Sequence, residues 1–243
     1  MRDTINYIVF GWYPYVCLTV FVVGNILRFD REQYTWKAGS SQLLRRRQLM
    51  WGSNLFHIGV LVIFIGHFFG LLTPIWVFEA IGISHTAKQI MAIVIGGVAG
   101  IAMLVGGLLL AHRRLFDPRI RANSSFADTS ILLILLAQLL LGLATIPISM
   151  GHLDGHEMVR FMNWAQGILV LRPDAWTLVA DAHPIFKAHL FLGMTIFLIF
   201  PFTRLVHVWS APIWYLGRRG YQVVRTRRPI APASGGRAIE PAE

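Results

Sequence analysis

The sequence predicts an all-α integral membrane protein, built as a bundle of five transmembrane helices. Of its 243 residues, 55% are hydrophobic and only 14% are charged, whereas a soluble domain usually has about 25% charged residues. Five apolar runs are long enough to cross about 30 Å of hydrocarbon. The predicted spans are residues 5–27, 51–72, 90–111, 130–148 and 184–209.

Three of the spans contain residues that shape membrane helices. Pro14 is expected to bend the first span or to mark its first turns, because proline lacks the amide hydrogen that a helix uses. In the third span, Gly96 and Gly100 form a GxxxG pair, a spacing that permits close helix packing. Pro201 predicts a kink in the fifth span.

The charge of the connections predicts the orientation. Segments 28–50 and 112–127 and the tail after residue 209 contain most of the lysines and arginines, whereas segments 73–88 and 149–183 contain few. Cytoplasmic loops of membrane proteins carry the excess of cations. We therefore expect the N-terminus outside and the C-terminus in the cytoplasm. Because the net charge of +10 is explained by these loops, we predict a lipid environment and no nucleic-acid partner.

We expect one membrane domain, residues 1–228, followed by a disordered cytoplasmic tail, residues 229–243, which is rich in Pro, Gly and Ala. In the outer connection, residues 157–171 alternate apolar and polar side chains. This pattern predicts a helix on the membrane surface, with Trp164 at the depth of the lipid headgroups. An ordinary helix within a loop is the alternative.

Four of the nine histidines lie inside predicted spans, where an ionisable side chain is costly and points to function. His57 lies about 9 Å from the cytoplasmic end of the second span, and His67 about 8 Å from its outer end. The fifth span runs the opposite way, with His189 about 8 Å from the outer end and His207 near the cytoplasmic end. The sequence therefore predicts two pairs, His67 with His189 outside and His57 with His207 inside.

A bis-histidine pair is typical of a haem iron. Zinc or copper would need three or four ligands at one place, and these histidines are divided by depth. Cys17 is the only cysteine, so covalent haem attachment through CxxCH is excluded and two haem b groups are predicted. Interhelical hydrogen bonding by the histidines, in a haem-free anchor, stays open as an alternative.

One difficulty is the axial spacing of the histidines. His57 and His67 are ten residues apart, a rise of about 15 Å, whereas His189 and His207 are eighteen apart, a rise of about 27 Å. Tilt of the helices or a kink at Pro201 would have to absorb the difference.

The surroundings of the histidines agree with a haem. Glycines at 66 and 70 flank His67, Gly193 follows His189 by four residues, and Gly59 follows His57 by two, so each could leave room for a flat porphyrin. Arg204 precedes His207 by three residues and is expected to pair with a haem propionate. The alternative for Arg204 is a side chain that extends to the cytoplasmic interface.

Four long segments are distinctive: LRFDREQYTWKAGSSQ at 27–42, SNLFHIGVLVIFIGHFFGLLTP at 53–74, RRLFDPRIRA at 113–122 and KAHLFLGMTIFLIFPFTRLVHVWSAP at 187–212. In these segments the chain resembles the gamma subunit of respiratory nitrate reductase, a membrane cytochrome b. It implies a five-helix bundle in the bacterial cytoplasmic (inner) membrane, with an outer haem b on His67 and His189 and an inner haem b on His57 and His207.

The same resemblance implies a quinol-oxidising site beside the outer haem, formed by Gly66, His67 and Lys88. Without the resemblance, Lys88 would be interpreted as a lysine that extends to the membrane surface. The implied partners are a cytoplasmic iron–sulfur subunit and a molybdenum-cofactor subunit that reduces nitrate. A haem b subunit of another reductase, for example one acting on sulfur compounds, is the alternative in the same class.

Overall fold

The computed structural model describes residues 1–36, 44–211 and 217 of the chain. The described residues contain helices and no strands, and five stretches are long and apolar enough to cross a membrane. These are Arg2–Arg31, Arg46–Leu72, His85–Phe116, Phe126–Met150 and Pro184–Phe202. The predicted fold class and the number of spans are confirmed.

The chain divides into a compact unit, Met1–Trp209, which contains all five spans, and a second unit, Ser210–Glu243. The predicted tail, residues 229–243, lies outside the described residues. The α-helices of the first unit are α1 Arg2–Tyr7, α2 Tyr13–Arg31, α3 Arg46–Leu72, α4 Ile75–Ala80, α5 His85–Phe116, α6 Pro118–Ala122, α7 Phe126–Met150, α8 His156–Leu169, α9 Thr177–Ala180 and α10 Pro184–Ile199. A π-helical segment, Ile8–Trp12, joins α1 to α2.

Side-chain caps set the starts of two spanning helices. The Ser84 hydroxyl accepts a hydrogen bond from the Ala87 amide at the start of α5. At the start of α7, Ser125 and Asp128 form a reciprocal capping box. Each cap satisfies amides that a helix N-terminus leaves without partners, which stabilises a helix by about 1 kcal/mol. Both helices therefore extend beyond the purely apolar runs that the sequence marks.

Close packing of α3 against α5 depends on glycine. A Cβ atom added to Gly59 would lie 2.6 Å from the Ala99 carbonyl oxygen, and one added to Gly106 would overlap the α3 backbone. Gly100 packs against Leu143 of α7, whereas no atom lies within 4 Å of a Cβ added to Gly96. Only half of the predicted GxxxG pair therefore acts in helix packing among the described residues.

Helix α8, which the sequence places at the membrane surface, is part of the core. Trp164 is only 3% exposed, and its indole nitrogen donates a hydrogen bond to the Phe10 carbonyl at 3.0 Å. Phe10 precedes Pro14 by four residues, and Pro14 has no amide hydrogen to return to that carbonyl. Trp164 therefore packs inside the protein, bonded to the Phe10 carbonyl, and does not face lipid headgroups.

Replacing Trp164 with phenylalanine tests this role. The Phe10 carbonyl would lose the hydrogen bond from Trp164 in the protein interior, so we expect a loss of about 0.5–1.5 kcal/mol in stability. Thermal unfolding of the purified protein in detergent measures the loss. Trp12, which is 58% exposed, is the control, and Trp12→Phe should leave the unfolding midpoint near that of the wild type. Equal midpoints for both variants and the wild type would contradict the assignment.

The fifth span ends earlier than the predicted residue 209. The α-helix stops at Ile199, a short 3₁₀ turn covers Phe200–Phe202, and Thr203 is extended, with φ −118° and ψ 176°. A second 3₁₀ helix, Arg204–Ser210, follows. Pro201 cannot donate within a helix, so the predicted kink is a complete break in the α-helix.

Candidate functional site

The structure brings the four histidines that the sequence singles out together in two pairs. The ring centres of His67 on α3 and His189 on α10 are 6.2 Å apart. Those of His57 on α3 and His207 in the second 3₁₀ helix are 6.4 Å apart. The rise of about 27 Å that we calculated assumed one continuous helix, and the break before His207 removes that assumption.

Three of the four rings are oriented by their own backbone. Nδ1 lies 2.7 Å from the Ser53 carbonyl in His57, 2.9 Å from the Ile63 carbonyl in His67 and 2.6 Å from the Arg204 carbonyl in His207. A carbonyl only accepts, so Nδ1 carries the hydrogen and Nε2 keeps its lone pair. Metal-binding histidines commonly donate their other ring N–H in this way.

His189 has different surroundings. Its Nδ1 is buried and has no hydrogen-bond partner among the described residues, while its Nε2 lies 3.4 Å from Gln138 Nε2. The Gln138 amide also donates to the His189 carbonyl at 3.1 Å. A Cβ added to Gly142 would lie 3.0 Å from the His189 ring. Gln138 and Gly142, both on α7, therefore lie against this ring.

The pairs fit a haem iron. An imidazole nitrogen binds a transition metal at about 2.0 Å and lies about 1 Å from its ring centre, so two imidazoles on opposite sides of one iron have ring centres about 6 Å apart. Both observed separations agree with this value. Within the described residues no group of three or more possible metal ligands is present.

The glycines near the histidines divide into two kinds. A Cβ added to Gly66 or Gly70 would meet no atom within 4 Å, so the face of α3 beside His67 is open. Gly59 was expected to leave room beside His57, but Ala99 and Met103 of α5 occupy the space next to this glycine. The prediction for Gly59 is wrong, because this glycine serves helix packing. The Cβ position of Gly193 lies 3.2 Å from the Gln138 amide.

Lys88, on α5, is buried beside the C-terminal end of α3. It is 7% exposed, and its ammonium group donates to the Gly70 carbonyl at 2.8 Å and to Met162 Sδ at 2.7 Å. It also lies 4.3 Å from the centre of the Phe78 ring. The side chain does not extend to the membrane surface. An ammonium has three donors, and these two bonds leave one for a further acceptor.

Arg204 lies beside His207 and has a carboxylate close by. Its Nη1 is 3.7 Å from Asp128 Oδ1, and both side chains are about three-quarters buried. The Arg204 carbonyl also orients the His207 ring. Arg204 therefore adjoins the pair of His57 and His207, with its positive charge partly balanced by Asp128.

Sequence reasoning missed Gln138, Gly142 and Met162. Gln138 is a polar residue in the middle of the apolar run of α7, and polar side chains in membrane helices commonly bond across helices. That signal could have identified it. Gly142 and Met162 carry no such signal, because their role depends on which helix packs beside them.

Comparison of the whole sequence with known families identifies the family of this chain. A model of the nitrate reductase gamma subunit family matches residues 6–227. The chain belongs to the nitrate reductase gamma subunit family. It is therefore a multi-pass membrane subunit of a multi-subunit nitrate reductase, an oxidoreductase of nitrate respiration.

Three relatives show how much of this gamma subunit is shared. It is 52% identical to the respiratory nitrate reductase 2 gamma chain of Escherichia coli K12, over 94% of this chain and 100% of the relative. The respiratory nitrate reductase 1 gamma chain of the same strain is 50% identical, over 92% and 98%. The nitrate reductase gamma chain of Bacillus subtilis 168 is 41% identical, over 90% and 98%.

Proposed function

We propose that this gamma subunit carries two haem b groups and oxidises quinol for the nitrate reductase complex. The observation that supports the proposal is the pair of ring separations, 6.2 and 6.4 Å. His67 and His189 would bind the iron of the outer haem, and His57 and His207 that of the inner haem. Bound haem b supplies one-electron chemistry, which connects a two-electron quinol to single-electron carriers.

The exposure of the α3 histidines favours haem binding over a haem-free anchor. His57 and His67 are both exposed on the polypeptide, although they lie well inside a membrane span. Their Nδ1 bonds stay within their own helix. Histidines that only joined helices would be bonded across the helix interface and covered by it. An uncovered imidazole in hydrocarbon is costly, and a macrocycle on each ring would remove that cost.

In the proposed reaction, quinol binds near the outer face, beside Gly66, His67 and Lys88. Its oxidation to quinone releases two electrons and two protons. The protons leave outward, and the electrons reach a cytoplasmic iron–sulfur subunit. In a molybdenum-cofactor subunit, nitrate takes two electrons and two protons and gives nitrite and water. With the N-terminus outside, each electron crosses the bacterial cytoplasmic membrane against the potential, at about 2.3 kcal/mol per 100 mV.

Two features of the chain support the quinol site. The face of α3 at Gly66 is open to a planar ring, as the empty Cβ position shows. The Lys88 ammonium lies at the same end of α3. It donates a hydrogen bond to the carbonyl of Gly70, one helical turn beyond Gly66. Its remaining donor would bind a quinone oxygen and stabilise the charge that develops as quinol loses protons.

Spectroscopy of the purified complex tests the proposal. We expect two b-type haems per gamma subunit, both reduced by added quinol and reoxidised by nitrate. Absence of reduced b-type bands from complex that still contains the gamma subunit would refute it and leave the haem-free anchor. One haem per subunit would refute the two-site arrangement.

Replacing Lys88 with methionine tests the quinol site. Hydrogen bonds from charged groups contribute about 1.5–3 kcal/mol, so we expect kcat/KM for quinol to fall about 10- to 100-fold. Both haems should remain, because Lys88 bonds to neither histidine pair. Nitrate reduction with a soluble artificial donor, which supplies the partner subunits directly, should be unchanged.

Gln166 provides the matched control for Lys88. Its amide donates to the Leu71 carbonyl at 2.9 Å and to the Thr73 carbonyl at 3.3 Å, so it caps the same end of α3 without a charge. If Lys88 only caps the helix, Lys88→Met and Gln166→Met will lose quinol activity to the same extent. We expect Gln166→Met to stay within a few-fold of the wild type.

A further inference from the structure

The break in the fifth span leaves backbone groups that an α-helix would have satisfied. The α-helix ends at Ile199, and the extended residue Thr203 separates the two 3₁₀ segments. The carbonyls of Pro201 and Thr203 lie at this break. Buried carbonyls need donors, and Pro201 and Thr203 are both buried. His207 lies four residues after Thr203.

Arg28 of α2 supplies the donors. Its Nη1 donates to the Pro201 carbonyl at 2.5 Å and to the Thr203 carbonyl at 2.9 Å. Its Nη2 donates to the Thr35 carbonyl at 2.9 Å. A guanidinium is planar and its donors have fixed directions, so bonds to two carbonyls fix their relative position as well as satisfying them.

The face of α2 that carries Arg28 also contacts the break at three earlier positions. A Cβ added to Gly24, one turn earlier, would lie 2.8 Å from the Pro201 ring. The Phe21 ring packs edge-on against Phe200, with ring centres 5.0 Å apart. On the far side, Trp209 donates from its indole nitrogen to Asn25 Oδ1 at 3.2 Å. The 3₁₀ segment that carries His207 is therefore fixed to α2 at both of its ends.

The two histidine pairs differ in the regularity of the backbone that carries them. His67 and His189 both lie within uninterrupted α-helices, α3 and α10. His57 lies in α3 as well, and only His207 is outside regular α-helix. The direction of its ring therefore depends on how the broken backbone is held.

We propose that Arg28 is the positioning residue for His207: by bonding the Pro201 and Thr203 carbonyls, it orients the 3₁₀ segment so that the His207 ring faces His57. The proposal rests on the proposed function, since it gives His207 the role of an inner haem ligand. Arg28 itself touches neither ring. Its effect should be seen at the inner haem alone.

The test uses the whole nitrate reductase complex in membranes, with Arg28→Gln, Arg28→Lys and Arg31→Gln. The readouts are the low-spin EPR signal and the midpoint potential of each haem, measured separately. Arg31 is the control, because it lies exposed at the end of α2 and its replacement removes the same charge. We expect Arg28→Gln to shift the signal and potential of the inner haem, or to lose that haem, with the outer haem unchanged. Arg28→Lys should restore the inner haem in part, and Arg31→Gln should match the wild type.

Three results would overturn the proposal. The first is an inner haem in Arg28→Gln with wild-type signal and potential. The second is equal loss of both haems in Arg28→Gln and Arg28→Lys, because the expected effect is confined to one site. The third is an equal shift in Arg31→Gln, which would assign the effect to charge. Failure of the proposed function is distinct, because it would appear as missing haem in the wild type.

Discussion

Replacing His67 with alanine is expected to remove the outer haem, halve the haem content and abolish quinol oxidation, while the inner haem remains. The reason is geometric: His67 and His189 face each other at one site, and His57 and His207 at another. An iron that loses one of its two protein ligands is weakly held, and the two sites have no side chain in common. Replacing His57 should remove the inner haem alone.

The measurement is haem content and the reduced b-type spectrum of the purified complex, with quinol and nitrate added in turn. In the His57 variant, quinol should still reduce the outer haem, but nitrate should no longer reoxidise it rapidly. Loss of both haems in either variant, or retention of both in His67→Ala, would contradict the assignment of the pairs.

His152 offers a matched control for the histidine variants. Its Nδ1 lies 3.1 Å from the Ile148 carbonyl, four residues earlier, as in His57 and His67. It is exposed in the outer connection and belongs to neither pair. Replacing His152 with alanine should leave both haems and quinol activity at wild-type levels, which would show that the effect belongs to the paired rings.

Replacing Gly106 with leucine is expected to prevent assembly of the bundle. A Cβ at this position would overlap Phe56 N and lie 2.7 Å from the Gly52 carbonyl oxygen, both in the α3 backbone. Overpacking usually costs about 1–3 kcal/mol when side chains can shift. Here α3 itself would have to move, and α3 carries one histidine of each pair, so both haems should be lost together.

Gly96 supplies the control on the same helix. No atom lies within 4 Å of a Cβ added there, so Gly96→Leu should keep the wild-type amount of gamma subunit in the membrane and both haems. Membrane content, thermal stability in detergent and haem spectra measure the difference. Equal behaviour of Gly96→Leu and Gly106→Leu would show that the α3–α5 contact is less close than the structure indicates.

The sequence predicts the five spans because hydrophobicity and length alone decide what crosses a bilayer. The histidine pairs can also be predicted from the sequence, because the depth of a residue in the membrane follows from its position along a helix. Lys88 could be placed only at the end of a span. Its burial against Met162 depends on the outer helix α8 folding back over α3, which no local pattern describes.

The errors at Trp164 and Gly59 have a common cause. The alternation in α8 shows that one face is apolar, but it does not tell whether lipid or another helix covers that face. A glycine next to a histidine leaves a gap in either case, and only the position of α5 shows that the gap at Gly59 is filled by protein. Pro201 predicts a distortion, but the length of the break depends on the contacts that α2 makes with it.

Because α3 provides one histidine to each pair, this helix sets the axial distance between the two sites. The ten residues from His57 to His67 set an axial offset of about 15 Å, and this distance does not depend on how the other helices tilt. Inserting or deleting one residue in the interval would turn one histidine by about 100° relative to the other. The interval can therefore vary in side chains, but its length is fixed by the need for two facing pairs.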